Sequence, residues 1–196
     1  QQFELIFDYR FTTPKELNDI NIEIEKAADE ILEAVTDNMS DYDKLKYFHD
    51  YLIKNCDSVV NTEYADTIYG ALVRKKALCE GYAKTFSYLC NRVGIENTIV
   101  VGVTTVDHMW NMVKLDGNWY HVDVTWDKPD APILESYSDL VIYQYFMVTD
   151  SVIENTHTID PTVYTPPKAY STKENYFVKE QQFVKSSDDY VKIIES

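Results

Sequence analysis

The sequence predicts an α+β fold in which helices come first and an antiparallel β-sheet follows. Apolar residues recur at helical spacing in the first half of the chain, whereas β-branched and aromatic runs around a tight turn mark the second half. With 196 residues, of which 45% are apolar, the chain is long enough to bury the core of one domain. The sequence contains no internal repeat.

The N-terminal part predicts one strand followed by a long helix. Residues 3–11 (FELIFDYRF) alternate loosely and are rich in aromatic residues, which favours a strand. Thr13 is the predicted N-cap of the helix, with Pro14 at the first helical position and Glu16 where a capping box requires it. The helix then carries one apolar stripe, formed by Leu17, Ile20, Ile24, Ala27, Ile31 and Val35.

Three further helices are predicted before the sheet. Ser40 is the N-cap of the first of them, and Asp66 is the predicted cap of a short second helix over residues 67–73. The third begins at Cys79 and ends before Gly94, because glycine commonly follows the last turn of a helix.

The predicted strands come after Gly94. Residues 96–106 (ENTIVVGVTTV) form the first, and residues 108–126 form a hairpin around Asp116–Gly117, one of the strongest turn signals known for two strands. Residues 145–148 (YFMV) favour a later strand. Residues 161–168 (PTVYTPPK) favour a proline-rich loop.

The net charge of −15 limits the partners that we expect for this chain. Nucleic acids and anionic membrane surfaces require a basic face, so we expect neither as a partner. No run of the roughly 20 apolar residues that a membrane span requires is present. High solubility is the simplest consequence of this acidity.

Three cysteines, Cys56, Cys79 and Cys90, are too few for a disulfide scaffold. Cys79 and Cys90 fall on one face of the same predicted helix, but about 16 Å apart at 1.5 Å of rise per residue, so they cannot bridge. Stability is therefore expected to come from the core.

Cys79 is the candidate nucleophile, because the positive end of a helix dipole lowers the pKa of a thiol. Such a thiol also requires a base and a group that orients the base. His108 and Asp123 lie on the two arms of the predicted hairpin. A two-residue turn makes them diagonal neighbours on one face of the sheet, whereas a three-residue turn puts them on opposite faces.

Other interpretations remain open from the residues alone. His121 falls on the same face as His108 and is the competing base, although it lies closer to the turn. A single cysteine or strand histidine is also common as an inert part of a core. Two further pairs, His49 with Asp50 and His157 near Asp160, lack the spacing of a recognisable metal site, and we expect structural or solvated roles for them.

Three blocks of sequence together resemble the core of the transglutaminase-like superfamily, and of its bacterial members in particular. They are YGALVRKKAL (residues 69–78), CEGYAKTFSYLCNRVGI (79–95) and DHMWNMVKLDGNWYHVDVTWD (107–127). The segment DYDKLKYFHDYLIKN (41–55) is similar to the helix that precedes this core, so the resemblance covers about residues 40–127, with a weaker extension over residues 145–160.

The resemblance implies a papain-like α+β fold, with N-terminal helices and a catalytic helix packed on an antiparallel sheet. It also implies a catalytic triad of Cys79, His108 and Asp123 that transfers an acyl group from a polypeptide amide through a thioester. Water or a primary amine would release the thioester, and the family pattern places His121 outside the triad. Tyr82 and Trp110 are candidate lining residues of the cleft, with core packing as the alternative.

No cofactor and no obligatory metal are expected, because no calcium-loop pattern occurs in the sequence. The competing hypothesis for the whole chain is a non-catalytic adaptor or surface module. Such a module would use the same cleft to bind a protein or a cell-wall polymer.

We expect one transglutaminase-like domain over residues 1–196. Its core spans about residues 40–160, preceded by a strand and helix in residues 1–39 and followed by an extension in residues 161–196. That extension ends on SSDDYVKIIES, which opens like a capped helix at Ser186 or Ser187 and stops after barely two turns. This early end favours a longer parent protein. The resemblance to bacterial relatives, which are often exported or attached to the surface, favours an extracellular or cell-surface location.

Overall fold

The structure of the chain is a computed structural model that describes residues 13–129 and 140–182. The predicted strand over residues 3–11 and the helix predicted to start at Ser186 or Ser187 lie outside the described residues.

The first two predicted helices are confirmed. Helix α1 spans Pro14–Leu32 and helix α2 spans Asp41–Asn55. Each begins with a complete capping box, in which Thr13 and Ser40 are the N-caps and Glu16 and Asp43 reach back to the backbone of the cap. Two backbone N–H groups are therefore satisfied at each helix start.

The next two helices differ in how they begin. Helix α3 spans Ile68–Leu72, and its N-cap is Thr67 rather than Asp66. The prediction was wrong by one residue because the Thr67 hydroxyl accepts from the N–H of Gly70 at 3.0 Å. Helix α4 spans Cys79–Arg92 as predicted, and Gly94 follows it with a φ of 75°.

Among the described residues, the strands are β1 (Asp57–Ser58), β2 (Lys76–Ala77), β3 (Asn97–Val103), β4 (Asp107–Leu115), β5 (Asn118–Val122), β6 (Phe146–Val148) and β7 (Thr158–Ile159), and the one-turn helices after β5 are α5 (Val124–Asp127), α6 (Asp150–Ile153) and α7 (Tyr176–Lys179). The main sheet is antiparallel, with the strand order β6–β5–β4–β3–β7. A small parallel pair, β1 and β2, precedes it in the chain.

The predicted two-residue hairpin turn is confirmed. Leu115 pairs with Asn118, so only Asp116 and Gly117 connect β4 to β5. Both have positive φ, 49° and 78°, as a type I′ turn requires. This register decides which side chains share a face of the sheet.

Helix α4 packs on the sheet and joins the N-terminal helices to it. Its Phe86 and Leu89 are fully buried and belong to one apolar cluster with Val113 of β4 and Tyr120 of β5. Each such side chain contributes about 1.5–3 kcal/mol by leaving water. Among the described residues, no helix has the length and apolarity needed to cross a membrane.

Candidate active site

Cys79 is the first residue of α4, and its thiol is half-buried. Leu78, the N-cap, provides no side-chain cap, so backbone contacts hold the helix start in place. The N–H of Leu78 donates to the carbonyl of Ala65 at 2.9 Å. Gly81 allows this approach, because a Cβ there would lie 2.2 Å from the same carbonyl oxygen.

His108 lies at the start of β4, next to the N-terminal end of α4. The two elements are linked by Asn111, whose buried side-chain amide donates to the carbonyl of Ala83 at 3.0 Å. Asn111 lies three residues after His108 in β4, and Ala83 lies about one helical turn after Cys79 in α4. This bond therefore helps to fix the thiol against the imidazole.

Asp123 follows β5 directly and is the N-cap of α5. Its Oδ1 accepts from the backbone N–H groups of Thr125 and Trp126 at 3.0 and 3.1 Å. Its side chain is 1% exposed. The cap turns the carboxylate so that its second oxygen, Oδ2, faces the sheet residue His108.

The structure brings Cys79, His108 and Asp123 together. His108 Nε2 lies 2.6 Å from Asp123 Oδ2, and because a carboxylate only accepts, Nε2 carries the hydrogen. The same imidazole interacts with the thiol of Cys79, and because Nε2 is engaged by Asp123, Nδ1 is the nitrogen left for the sulfur. The diagonal contact predicted from the two-residue turn is thus present.

These contacts shift the pKa values of Cys79 and His108 in the directions that favour an ion pair between them. Burial alone would lower the pKa of His108, but the hydrogen bonds to Asp123 and Cys79 raise it to about 9. Burial alone would raise the pKa of Cys79, but the His108 hydrogen bond and backbone N–H groups of Met109 and Glu80 bring it below its usual value. The pKa of Cys79 is thus lowered and that of His108 raised, and both shifts run in the direction of a thiolate–imidazolium pair.

The other two thiols are in contrasting environments. Cys56 and Cys90 are buried. Burial raises the pKa of Cys56 to about 11, and it raises the pKa of the Cys90 thiol as well. Both are therefore protonated at neutral pH and are inert by comparison with Cys79.

His157 is the residue at this site that the sequence analysis did not connect to the others. Its Nε2 lies 2.9 Å from Asp123 Oδ2, the oxygen that also binds His108. The sequence pairs His157 only with the nearby Asp160, but the Asp160 carboxylate accepts from the backbone N–H and the hydroxyl of Thr162. The signal in the sequence is weak, because His157 lies only in the weaker extension of the family resemblance, 34 residues beyond Asp123.

His121, the competing base, is engaged elsewhere. Its Nδ1 accepts from the indole N–H of Trp110 at 3.0 Å, and its Nε2 lies 3.1 Å from Asp150 Oδ1. The ring is fully buried. Both ring nitrogens are therefore occupied by partners other than Cys79.

The structure places Tyr82 and Trp110 in the core. Each is 1% exposed. The phenol of Tyr82 donates to the carbonyl of Cys56 at 2.5 Å, and the indole of Trp110 stacks against His108 with ring centroids 6.0 Å apart. Core packing, the alternative weighed above, fits both, and Trp110 additionally forms one wall of the His108 pocket.

The group His108, Asp123 and His157 presents ligand-type atoms within 4.8 Å of one another. The separations of 2.6 and 2.9 Å are hydrogen-bond lengths. Two ligands held about 2.0–2.1 Å from a tetrahedral zinc ion would lie about 3.3 Å apart. We therefore assign these atoms to a hydrogen-bonded network.

His49 belongs to a second network on the other side of α5. Its Nδ1 lies 3.1 Å from Asp50 Oδ1, and its Nε2 lies 3.1 Å from Asp127 Oδ2. His49 and Asp127 are both 0% exposed. This supports the structural role expected for His49.

Curated relatives match part of this chain. Kyphoscoliosis peptidase of Homo sapiens and that of Mus musculus are each 27% identical to it over 88 residues. The match covers 38% of this chain but only 13% of each relative. A crystal structure of a TGase is 22% identical, covers 58% of this chain and 33% of its own, and has a TM-score of 0.48.

A model of one protein family spans the central half of the chain. The family is described as the transglutaminase-like superfamily, and the matched residues, 26–124, run from the middle of α1 to the start of α5. They include Cys79, His108 and Asp123. The chain therefore belongs to the transglutaminase-like superfamily, with the mixed helical and antiparallel fold that the sequence predicted.

Proposed function

We propose that this chain is a cysteine-dependent enzyme that transfers acyl groups from polypeptide amides, with Cys79, His108 and Asp123 as its catalytic triad. The observation that carries the proposal is the position of the His108 ring, which donates to the Asp123 carboxylate at 2.6 Å and lies close enough to the Cys79 thiol for each group to shift the pKa of the other. Membership of the superfamily and the half-exposed thiol support it.

The first half-reaction follows from the charges at the site. The Cys79 thiolate attacks the carbonyl carbon of the amide, and the electron pair of the C=O bond moves to its oxygen. The backbone N–H of Cys79, at the start of α4, is the proposed donor to that oxyanion. As the C–N bond breaks, the His108 imidazolium gives its proton to the departing amine, which leaves a thioester on Cys79.

The second half-reaction releases the acyl group. Water or a primary amine gives a proton to the neutral His108 and attacks the thioester, and the thiolate leaves. Asp123 stabilises the imidazolium in both halves and holds the ring in place. The acidic chain, with a net charge of −15, would favour cationic amines, whereas the name of the peptidase relatives favours water.

An assay with two arms tests this function. The chain is incubated with a peptide library, with and without a fluorescent primary amine, and products are identified by mass spectrometry. Cleaved or deamidated peptides indicate hydrolysis, and labelled peptides indicate transfer. Cys56→Ala is the matched control, because it also removes a thiol but a buried one.

We expect products from the parent and from Cys56→Ala, and none from Cys79→Ala. Turnover that survives in Cys79→Ala contradicts the assignment of the nucleophile. A parent chain that forms no product, and whose Cys79 reacts like an ordinary thiol, would favour the non-catalytic binding module instead.

A further inference from the structure

The Asp123 carboxylate accepts four hydrogen bonds, and two of them come from histidines. Oδ1 receives the N–H groups of Thr125 and Trp126, and Oδ2 receives Nε2–H of both His108 and His157. All the acceptor sites of a carboxylate are thereby occupied. The His108 contact belongs to the proposed triad, and the His157 contact has no place in it.

His157 is held so that it can only donate to Asp123. Because the carboxylate only accepts, the hydrogen of this contact lies on His157 Nε2. The other ring nitrogen, Nδ1, lies 2.8 Å from the hydroxyl of Thr156, which can donate to it. The ring is 2% exposed, and Trp126 packs against it with ring centroids 4.7 Å apart. Packing and hydrogen bonding thus fix both its position and its tautomer.

We propose that His157 is a positioning residue of this active site, whose Nε2–H keeps the buried Asp123 carboxylate ionised and aimed at His108. The inference rests on the proposed function, since it concerns the same thiol and imidazole.

The physical reason is the burial of Asp123. A carboxylate that is 1% exposed loses its hydration, which favours the neutral acid unless hydrogen bonds to the charged form compensate. Without the His157 donor, Asp123 takes up a proton at a higher pH. The His108 imidazolium then loses its counter-charge, and the thiolate of Cys79 reverts to a thiol.

Other titratable groups also face the Asp123–His157 pair. They are His108 of β4, His121 of β5, Asp127 of α5 and the phenol of Tyr145, which directly precedes β6. None of them is changed in the variants below, so their influence is common to all the profiles that are compared.

The test is the pH dependence of Cys79 alkylation by iodoacetamide, followed by mass spectrometry on the whole chain. This readout requires no knowledge of the substrate. His157→Phe keeps an aromatic ring in the pocket and removes the donor, whereas His157→Gln places an amide N–H near the position of Nε2. Thermal unfolding of each variant shows separately whether the fold is retained.

We expect the acid limb of the alkylation profile to move upward by about one pH unit in His157→Phe, the size of one hydrogen bond to a buried charge. His157→Gln should bring it back toward the parent position. A purely structural role would lower the unfolding temperature of both variants and leave the acid limb in place.

An unchanged or downward-shifted limb in a folded His157→Phe variant overturns the inference, because a downward shift means that His157 weakens the Asp123–His108 contact. If that variant does not fold, His157→Leu decides, since it also removes the Nε2–H donor but fills the buried position with a smaller apolar side chain. An upward shift there supports the inference, and a superimposable profile overturns it. A parent chain without reactivity below the usual thiol pKa overturns the proposed function as well.

Discussion

Two histidine–carboxylate clusters lie at opposite ends of the same short helix, α5. The cluster at the proposed active site (Cys79, His108, Asp123 and His157, the active-site cluster below) is built on the N-cap of α5. The Asp127 cluster (His49, Asp50 and Asp127) is built on its last residue. Each has a carboxylate bonded to an imidazole inside the protein.

The clusters differ in what else can reach the imidazole. In the Asp127 cluster, both nitrogens of His49 are bonded to carboxylates, and its ring lies against Tyr143 and Phe146, with centroids 5.3 and 4.8 Å away. In the active-site cluster, one nitrogen of His108 is left for a half-exposed thiol. We therefore propose chemistry only at the histidine–carboxylate pair that has a nucleophile beside it.

The largest effect that we expect is on stability, and it should fall on the Asp127 cluster. His49→Leu leaves the Asp127 carboxylate buried without its imidazole, which should lower the free energy of unfolding by about 3–5 kcal/mol. His108→Ala should cost about half of that, since Asp123 retains three donors. Urea unfolding of both variants measures the difference, and equal losses would mean that the two clusters contribute alike to the fold.

The next effect concerns reactivity and should fall on the other cluster. With His108→Ala, Cys79 becomes a thiol of near-ordinary pKa, of which about 1% is ionised at pH 6.5, so alkylation at that pH should slow, by at most about a hundredfold. His49→Gln, at the same pH, should leave the rate unchanged. A slowing of similar size in both variants would contradict the separation of the two networks.

The pH dependence of turnover sharpens the comparison further. Activity should rise as Cys79 ionises, below the usual thiol pKa, and fall as the pH passes about 9, because neutral His108 cannot protonate the leaving amine. The two limbs belong to the coupled pair rather than to either residue alone. His49→Gln should shift neither limb, and an alkaline limb that moves in this variant would show that the clusters are coupled.

The smallest effect is expected at the rim of the Asp127 cluster. The hydroxyl of Tyr143 donates to Asp50 Oδ2 at 2.8 Å and accepts from Lys46 at 2.9 Å. Tyr143→Phe removes both bonds at a half-buried position and should cost about 1 kcal/mol of stability. Alkylation of Cys79 should be unaffected, so a change in its rate would be evidence against a purely structural role for Tyr143.

Short-range sequence signals predict much of the fold. The capping boxes at Thr13 and Ser40 and the turn at Asp116–Gly117 depend on residues adjacent in the chain, and all three were predicted with their consequences. The turn matters most, because a two-residue connection determines that His108 and Asp123 share a face. That single local feature made the contact predictable.

The contacts that sequence reasoning missed are those between distant segments. His157 reaches Asp123 only because the chain returns through β6 and α6 to the edge of the sheet. The bond from Asn111 to Ala83 and the pairing of His49 with Asp127 likewise depend on how α4 and α2 pack. Propensity and periodicity predict which face of a helix or strand is buried, but not which distant segment of the chain packs against that face. The prediction of Asp66 instead of Thr67 as the N-cap of α3 was a smaller error of one residue.

The central claim is that Cys79 is held as a thiolate by His108, and a titration of thiolate absorbance in the ultraviolet tests it most directly. The spectrum of Cys79→Ala is subtracted from that of the parent at each pH, so that only this sulfur is observed. The account predicts that the difference signal persists well below pH 8.5. A signal that appears only as the pH rises through 8.5 or above would contradict it.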